Sequence, residues 1–167
     1  MGAVKLADVI EKALALITVN ARHSDVEIQR DLSTNLPDVF GHFHKLQQIV
    51  LNLVTNAMHA MKNRGGTVSI KTSLSEDQRS AQIQIRATGV GIDSQDLNKI
   101  FDPFFTTKEP GEGTGLGLSI TYGIVKEHRG QILVESKKGQ GTMFTVLLPL
   151  LTEGFQKSYK DELENDF

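Results

Sequence analysis

The sequence predicts an α+β protein, a two-layer α/β sandwich in which a mixed, mostly antiparallel sheet carries helices on one face. Three observations support this fold class. Helical periodicity and strand-like alternation occupy separate stretches of the 167-residue chain. Several strand patterns come in adjacent pairs, as in hairpins. The order of the elements lacks the regular βαβ succession of a parallel sheet.

The first half of the chain predicts a helix, a strand and a longer helix. Apolar side chains within residues 6–17 recur at three- and four-residue spacing, which predicts an amphipathic helix that ends before His23. Apolar and polar side chains alternate over residues 26–32, as in a strand. The second helix is expected from about residue 42 to residue 62, where a turn with two glycines follows.

The second half predicts two hairpins separated by a helix. Residues 67–73 and 81–87 alternate between apolar and polar side chains, and are expected to pair as antiparallel strands. Helical periodicity covers residues 116–128 and stops before Gly130, a residue type that favours helix ends. Residues 132–148 contain the last hairpin, with a glycine-containing turn at its centre.

These elements predict one domain over residues 5–150, flanked by two short segments. Residues 1–4 lack the basic and apolar regions of a signal peptide, and they are interpreted as a candidate remnant of an expression vector. Residues 151–167 are polar and rich in acidic side chains. We expect them to form a polar C-terminal tail that is either frayed or a loosely docked helix.

Composition narrows the function classes. With 39% hydrophobic and 23% charged residues, the chain is typical of globular proteins. The net charge of −2 provides no positive field for a dedicated nucleic-acid binder, so no nucleic-acid partner is expected. The absence of cysteine excludes disulfides and thiolate sites. The apolar runs are far shorter than the ~20 residues that cross a bilayer, so we expect no membrane contact by this segment.

Four polar residues follow one stripe of the second predicted helix. Asn52, Asn56, His59 and Asn63 are spaced by four, three and four positions. A solvated helix edge explains any one of them about as well as a site does. Asn56 differs because its neighbours are apolar, so that burial would leave its amide unpaired at a cost. A side-chain carbonyl is a ligand that Mg²⁺ accepts, and Asn56 is therefore the candidate metal ligand.

Glycines mark two further motifs, since ten of the 15 lie between Gly89 and Gly141. Residues 87–92 (Ala-Thr-Gly-Val-Gly-Ile) follow a predicted strand, which by itself favours a turn as much as a site. Residues 111–119 alternate glycine with other residues and lead into a helix, so exposed amides and the helix dipole favour an anion. This motif matches neither the P-loop nor the dinucleotide fingerprint.

The ordered set of motifs resembles the nucleotide-binding boxes of the catalytic and ATP-binding domain of sensor histidine kinases. That domain belongs to the superfamily shared with DNA gyrase, the MutL repair ATPase and the heat-shock chaperone ATPase. The resemblance covers about residues 46–149, with the N box at 48–57, the first G box at 87–92, the F box at 101–108 and the second G box at 113–119. The F box, FDPFFTTK, followed by GTGLGLS is most similar to the nitrogen-regulation type of kinase.

The resemblance implies the Bergerat (GHKL) version of the sandwich, with ATP as ligand and Mg²⁺ as metal. It implies that Asn56 ligates the metal and that residues 106–112 form a mobile lid, here called the lid. Thr107 and Lys108 would contact the triphosphate as catalytic residues. The implied nucleotide contacts are Asn52, Asn56, His59, Ala87, Gly89, Gly91, Ile92, Phe104, Thr107, Lys108, Gly113, Thr114, Gly115, Leu116, Gly117 and Leu118.

Two departures from the family pattern bear on activity. The first G box of these kinases begins with Asp, which accepts a hydrogen bond from the adenine amine, whereas this chain has Ala87. Nucleotide binding is therefore expected to be impaired, by engineering or by natural degeneracy. In addition, none of the five histidines has the acidic neighbour and nearby proline of the phosphoacceptor box. The dimerising domain with that box is thus expected to be separate, and this chain alone to be inactive and monomeric.

The predicted function is transfer of the γ-phosphoryl group of ATP to a histidine on that absent domain. The expected partners are ATP or ADP, the dimerisation and phosphoacceptor domain, and the receiver domain of a response regulator. The expected location is the cytoplasm, in a soluble or membrane-anchored sensor kinase. Two alternatives stay open: a serine kinase of the anti-sigma-factor type, and a pseudokinase that serves only as an interaction module.

Overall fold

The structure, a computed structural model, describes residues 1–20 and 25–165. The elements in chain order are β1 (Gly2–Val4), α1 (Leu6–Asn20), β2 (Val26–Asp31), β3 (Val39–Gly41), α2 (Phe43–Ala60), β4 (Gly66–Leu74), β5 (Ser80–Ala87), α3 (Gly117–Glu127), β6 (Gln131–Lys137), β7 (Gly141–Pro149) and α4 (Glu153–Asn165). The predicted end of the first helix before His23 lies outside the described residues.

The main sheet has five strands in the order β2-β4-β5-β7-β6. The pair β2–β4 is parallel and the other three pairs are antiparallel, as predicted for a mixed, mostly antiparallel sheet. The register places one row of residues across four strands: Val68, Ala87, Thr142 and Ser136. This row lies where β5 ends, and two of its members, Ala87 and Thr142, line the cavity described below.

Helix α2 is the centre of the helical layer. Its apolar side chains recur on one face and are buried against the sheet: Leu46, Ile49, Val50, Leu53, Val54 and Ala57. Helices α1 and α3 flank α2, while β4 and β5 pack beneath it. Each fully buried leucine or isoleucine contributes about 1.5–3 kcal/mol relative to an exposed one, so this stripe fixes the rotation of α2. Within residues 1–20 and 25–165, no helix has the length and apolar character required to span a bilayer.

Two short strands are missing from the sequence prediction. Gly2–Val4 pairs antiparallel with Val39–Gly41 in a separate two-stranded sheet. Val4 and Val39 are both buried in the core. The predicted domain boundary at residue 5 is therefore too late, since residues 2–4 belong to the fold. Strands of three residues are too short for alternation to reveal them.

The C-terminal segment is also part of the fold, which corrects the boundary predicted at residue 150. Phe155 and Tyr159 of α4 pack their ring edges against Phe40 of β3. The Arg129 guanidinium lies over both α4 rings, at 5.6 and 5.1 Å from their centroids, and pairs with Glu162. Of the two alternatives for this segment, the structure shows a docked helix, because two aromatic side chains anchor an otherwise polar sequence.

Three element ends differ from the prediction by a few residues. Helix α2 ends at Ala60, so Asn63 leaves the polar stripe and adopts a left-handed conformation with φ of 69°. Helix α3 begins at Gly117, and β2 ends before Leu32. Local periodicity does not determine such ends, because hydrogen-bonding partners outside the element decide them.

His128 joins the ends of two helices in its neutral form. Its ring is 2% exposed, and its Nε2 accepts a hydrogen bond from the His42 amide at 3.0 Å. Its Nδ1 lies 2.7 Å from the Ile124 carbonyl, so Nδ1 carries the proton. Burial lowers the pKa of His128, against the opposing effects of the Ile124 bond and the Glu127 carboxylate, while His42 and Lys45 lower it further. The folded state therefore resists protonation.

We expect acid to destabilise the protein through His128. The unfolded chain takes up a proton near the ordinary histidine pKa, whereas the folded chain does so only at lower pH. Stability is then full above that ordinary value and falls as the pH drops through it. Denaturant unfolding between about pH 7.5 and 5.5 should show a smaller loss of stability for His128→Gln than for the unsubstituted chain. His44→Gln, which removes an exposed imidazole, is the control, and equal slopes for all three proteins would contradict this role.

Candidate functional site

A cavity of about 750 Å³ lies between α2, the end of β5, the lid and the start of α3. Its walls include 14 of the 16 residues that the resemblance implied as nucleotide contacts: Asn52, Asn56, His59, Ala87, Gly89, Gly91, Ile92, Thr107, Lys108, Gly113, Thr114, Gly115, Gly117 and Leu118. Motifs up to 65 residues apart in sequence, such as those of Asn52 and Gly117, thus meet around one space.

The remaining two residues, Phe104 and Leu116, are not part of the cavity wall. Phe104 is 73% exposed and has a left-handed backbone with φ of 66°. Its amide donates to the Gly115 carbonyl at 2.9 Å, a bond that sets its backbone at the base of the lid. Leu116 precedes the first residue of α3, and its amide donates to the Thr114 hydroxyl at 3.3 Å. Through these hydrogen bonds, the backbones of both residues help to fix the conformation of the loop between them.

The sequence analysis missed several wall residues, among them Lys62, Glu112 and Thr142. Lys62 lies in the turn after α2, where a charged side chain is typical of an ordinary solvated surface. Thr142 pairs directly with Ala87 across β5 and β7. A predicted hairpin does not reveal this pairing, because β5 and β7 are separated by a helix and another strand.

The apolar end of the cavity has Ile85, Ala87 and Phe144 on its floor. Ala87 is 5% exposed and presents a methyl group, as its place in the strand alternation predicts. Gly91 closes this end with φ of 71°, and a Cβ there would lie 2.2 Å from the Lys137 carbonyl oxygen. Only glycine permits this approach between the loop and the last hairpin. A flat apolar ring suits this end.

Asn52 positions the start of α3 against α2. Its Nδ2 donates to the Gly117 carbonyl at 3.1 Å and to the Thr121 hydroxyl at 3.2 Å. The first amides of α3 have no partner within the helix, and Gly117 and Leu118 line the cavity. An anion at this end would meet both the free amides and the positive end of the helix dipole.

Asn56 lies on the same wall with its side chain half-buried. It makes no hydrogen bond to any residue in the described part of the chain, so its carboxamide oxygen is available to a ligand. The same part of the chain holds no group of three or more histidine or acidic side chains placed for a metal. A hard cation here would take the Asn56 oxygen together with oxygens of a bound anion, a donor set that fits Mg²⁺.

Basic side chains gather at the polar end of the cavity. Lys108 Nζ lies 2.9 Å from His59 Nδ1, and Lys62 pairs with Glu112 at 2.9 Å. Burial and then the Lys108 charge lower the pKa of His59, and burial lowers the pKa of Lys108. Lys62 lowers the pKa of Glu112 through a hydrogen bond and its charge. The basic side chains Lys62, Lys108 and His59 thus share this end of the cavity with two carboxylates, Glu109 and Glu112.

The lid is joined to α2 by these same two contacts. Gly115, with φ of 69°, allows the chain to return beside Phe104, where a Cβ would lie 2.5 Å from the Phe104 carbonyl carbon. Most lid residues are exposed, and none is a large apolar residue anchored in the core. The lid therefore covers the polar end through exposed polar pairs.

Comparison with known proteins identifies the family. A family profile described as histidine kinase-, DNA gyrase B- and HSP90-like ATPase matches residues 41–152. The sensor histidine kinase ZraS of Escherichia coli (strain K12) is 36% identical over 150 residues, which are 90% of this chain and 31% of ZraS. Sporulation kinase E of Bacillus subtilis (strain 168) is 34% identical over 145 residues, or 87% of this chain and 19% of that kinase.

Solved structures agree with this result. Full-length ShkA in complex with AMPPNP matches with a TM-score of 0.78 at 26% identity, over 90% of this chain and 31% of ShkA. The mycobacterial sensor histidine kinase MprB matches with a TM-score of 0.76 at 27% identity, over 89% of this chain and 96% of the MprB chain.

The chain therefore belongs to the family of histidine kinase-, DNA gyrase B- and HSP90-like ATPases. Its relatives are two-component sensor kinases, so it is an ATP-binding catalytic domain of the histidine-kinase type. The predicted sandwich fold and the recognised family are confirmed. The chain spans less than a third of the length of the two curated relatives. The nitrogen-regulation subtype stays a prediction.

We expect the lid amides to exchange rapidly with solvent in the nucleotide-free protein. The Lys62–Glu112 pair is about half exposed on both sides, and such pairs contribute about 0–1 kcal/mol. Hydrogen–deuterium exchange over residues 106–112 checks this, with Lys62→Ala expected to speed it and Lys71→Ala, on an exposed strand position, to leave it unchanged. Strong protection of the lid in the natural sequence would contradict the expectation.

Proposed function

We propose that this chain binds ATP with Mg²⁺ and transfers the γ-phosphoryl group to a histidine on a separate domain. The single observation that carries the proposal is the cavity itself. It combines an apolar end, free amides at the start of α3, an available Asn56 oxygen and a cluster of basic side chains. A purine would occupy the apolar end and the triphosphate the basic end.

Each wall has a separate task in this mechanism. The α3 amides at Gly117 and Leu118 would hold phosphate oxygens, and the dipole of the helix favours their charge. Lys108 and Thr107 lie on the lid and would contact the outer phosphates, where charge changes most during transfer. Mg²⁺ at Asn56 would supply charge neutralisation across the phosphates. Positioning and electrostatic stabilisation then account for catalysis, while the acceptor histidine is the nucleophile.

Ala87 is proposed to weaken adenine binding. The resemblance to sensor histidine kinases implies Asp at this position of the first G box, and a methyl group accepts no hydrogen bond. An adenine amine buried against Ala87 alone would lose its water partners without replacement. The α3 amides, the Asn56 oxygen and the basic side chains are all present. We therefore propose that nucleotide binding is weakened and not abolished.

The proposed partners follow from the reaction. A dimerisation domain would present the acceptor histidine, and a receiver domain of a response regulator would take the phosphoryl group from it. The chain by itself is proposed to be monomeric, inactive without the acceptor domain, and located in the cytoplasm, where ATP is available. A pseudokinase that only docks to a receiver is the second candidate, and the Ala87 substitution is the observation that favours it.

Phosphotransfer in trans separates these candidates. The chain and its Ala87→Asp variant are mixed with the separately purified phosphoacceptor domain of the parent kinase and ATP labelled at the γ-phosphate. A kinase labels the acceptor histidine, more strongly with Ala87→Asp. Absence of labelling with both proteins, under conditions where ADP binds, would support the pseudokinase.

Restoring the carboxylate should raise nucleotide affinity. Ala87→Asp is expected to bind ADP about tenfold to a hundredfold more tightly, because a hydrogen bond to a charged acceptor contributes about 1.5–3 kcal/mol. GDP should gain far less, since guanine places a carbonyl where adenine has its amine. Isothermal titration of both variants measures the change. The nucleotide-free variant should also melt at a lower temperature, because its carboxylate is buried unpaired. Unchanged ADP affinity with an intact fold would contradict the placement of the base.

Asn56 should support binding through the metal. In the Ala87→Asp background, Asn56→Ala is expected to weaken Mg·ATP by about tenfold and to affect metal-free adenosine little, since only the former uses the carboxamide oxygen. Gln48→Ala, an exposed position on α2 outside the cavity wall, is the control. Equal losses for both ligands would assign Asn56 to the helix or to the base pocket.

A further inference from the structure

The side chain of Lys108 turns inward from the lid. Lys108 is half-buried, whereas the two residues on either side of it are exposed. A Cβ built on Gly113 would lie 3.0 Å from Lys108 Cδ and 3.6 Å from its Nζ. The methylene chain of the lysine thus crosses the bare backbone of this glycine. Its amino group reaches the cavity, of which both residues form part of the wall.

The contact between Lys108 and His59 shows which ring nitrogen carries the imidazole proton. Lys108 Nζ lies 2.9 Å from His59 Nδ1. An ammonium group only donates, so Nδ1 is the acceptor and the ring proton is on Nε2. Burial and then the Lys108 charge lower the pKa of His59, which favours this neutral form. An unprotonated nitrogen therefore faces the protons of the lysine.

The two lysines of the cavity wall differ in their partners. Lys62 Nζ pairs with Glu112 at 2.9 Å, so a carboxylate engages its ammonium group. Lys108 makes no ion pair with any residue of the ranges 1–20 and 25–165. Burial lowers the pKa of Lys108, and the Glu112 charge opposes that effect only in part. Lys108 thus has, in place of a carboxylate, a nitrogen that can take up its proton.

An amine in this setting can act as a nucleophile. Lysine reacts as the free amine, and desolvation beside a proton acceptor makes that form more accessible. A reagent must bring an electrophilic carbon to the polar end of the cavity. Acyl phosphates meet this requirement, because their carbonyl carbon is one oxygen away from a phosphate. The proposed function already places phosphate at the α3 amides of Gly117 and Leu118, here called the phosphate site.

Building on the phosphate site of the proposed function, we propose that Lys108 is a modification site at which acyl phosphates acylate Nζ. One proton of the ammonium group passes to His59 Nδ1, and the free amine attacks the carbonyl carbon. A C–N bond forms and the C–O bond to the phosphate breaks. The leaving phosphate takes the second proton from the nitrogen. The products are an amide and hydrogen phosphate, and His59 returns its proton to solvent.

Acylation of Lys108 changes the charge of the nucleotide site. The modification replaces an ammonium group by a neutral amide, which keeps one N–H donor and loses the positive charge. The outer phosphates of a nucleotide then lose the cation proposed to contact them, and the acyl group occupies space beside Gly113. Nucleotide affinity should therefore fall as Lys108 becomes acylated. The site would thus respond to the supply of acyl phosphates.

Incubation of the 167-residue chain with acetyl phosphate, followed by mass spectrometry of its peptides, tests the proposal. Lys108 should be acetylated at least about tenfold faster than Lys62, which shares the cavity, and Lys71, which is exposed on β4. Pyrophosphate should slow the reaction at Lys108 by occupying the phosphate site, and leave Lys71 unaffected. The N-hydroxysuccinimide ester of acetic acid, an acyl donor without phosphate, should show a smaller preference for Lys108.

Three variants test the surroundings of the lysine. His59→Gln offers an amide oxygen but takes up no proton, so the rate at Lys108 should fall towards that at Lys62. Glu112→Gln should raise the rate at Lys108, because it removes the carboxylate that opposes the lowering of the lysine pKa. Lys62→Arg keeps a cation beside Glu112, and as the control it should leave the rate unchanged. Melting temperatures show that each variant is folded.

The outcomes separate this proposal from the proposed function. Equal rates at Lys108 and Lys62 would overturn it, as would an unchanged rate at Lys108 in His59→Gln. The same preference with both acyl donors would overturn the assignment to acyl phosphates. If ADP binds to Ala87→Asp while Lys108 is not selected, the nucleotide site stands and the modification site fails. If Lys108 is selected while ADP does not bind to that variant, the modification site stands and nucleotide binding fails.

Discussion

The packing of α2 on the sheet is the constraint on which the site depends. One stripe of the helix, with Leu46, Leu53 and Ala57, is buried against β4 and β5. The adjacent stripe carries Asn52 and Asn56 to the cavity. Since both stripes belong to one rigid helix, close packing of the first fixes the position of the second. A rotation of α2 that moved the asparagine side chains away from the cavity would expose its leucines to solvent. The packing that stabilises the core therefore also fixes the geometry of the cavity.

The second constraint on the cavity is the charge at its polar end. The polar end of the cavity brings Lys62 and Lys108 beside His59, with Glu112 as the acidic partner. Burial disfavours the charged forms of Lys108 and His59, and it outweighs the opposing effect of the Glu112 carboxylate on each group. The protein thereby holds destabilised positive charge where a polyphosphate would relieve it. The same burial that destabilises these charged side chains in the free protein would strengthen their interaction with a bound anion.

The long periodic elements were predictable because burial imposes their spacing. Helix α2 and the strands β4 and β5 bury regular faces, and the structure has them within a few residues of the predicted ends. The strands β1 and β3 were not predictable, because three residues contain no period and their partners lie far away in sequence. Helix α4 is polar, and its docking depends on two of its rings and on Arg129 in the turn after α3. Such contacts leave no local pattern.

By itself, the sequence determined the class of the fold and which motifs line the cavity. The spacing of the glycines and of the asparagines on α2 is visible in the sequence and predicts nucleotide contacts. Of the 16 implied contacts, 14 line one cavity. Tertiary structure decided the rest. It placed Phe104 on the surface and left Asn56 half-buried. It also aligned Thr142 with Ala87. The physical reason is register: pairing between distant strands sets which side chains meet, and that pairing is settled only when the whole sheet packs against its helices.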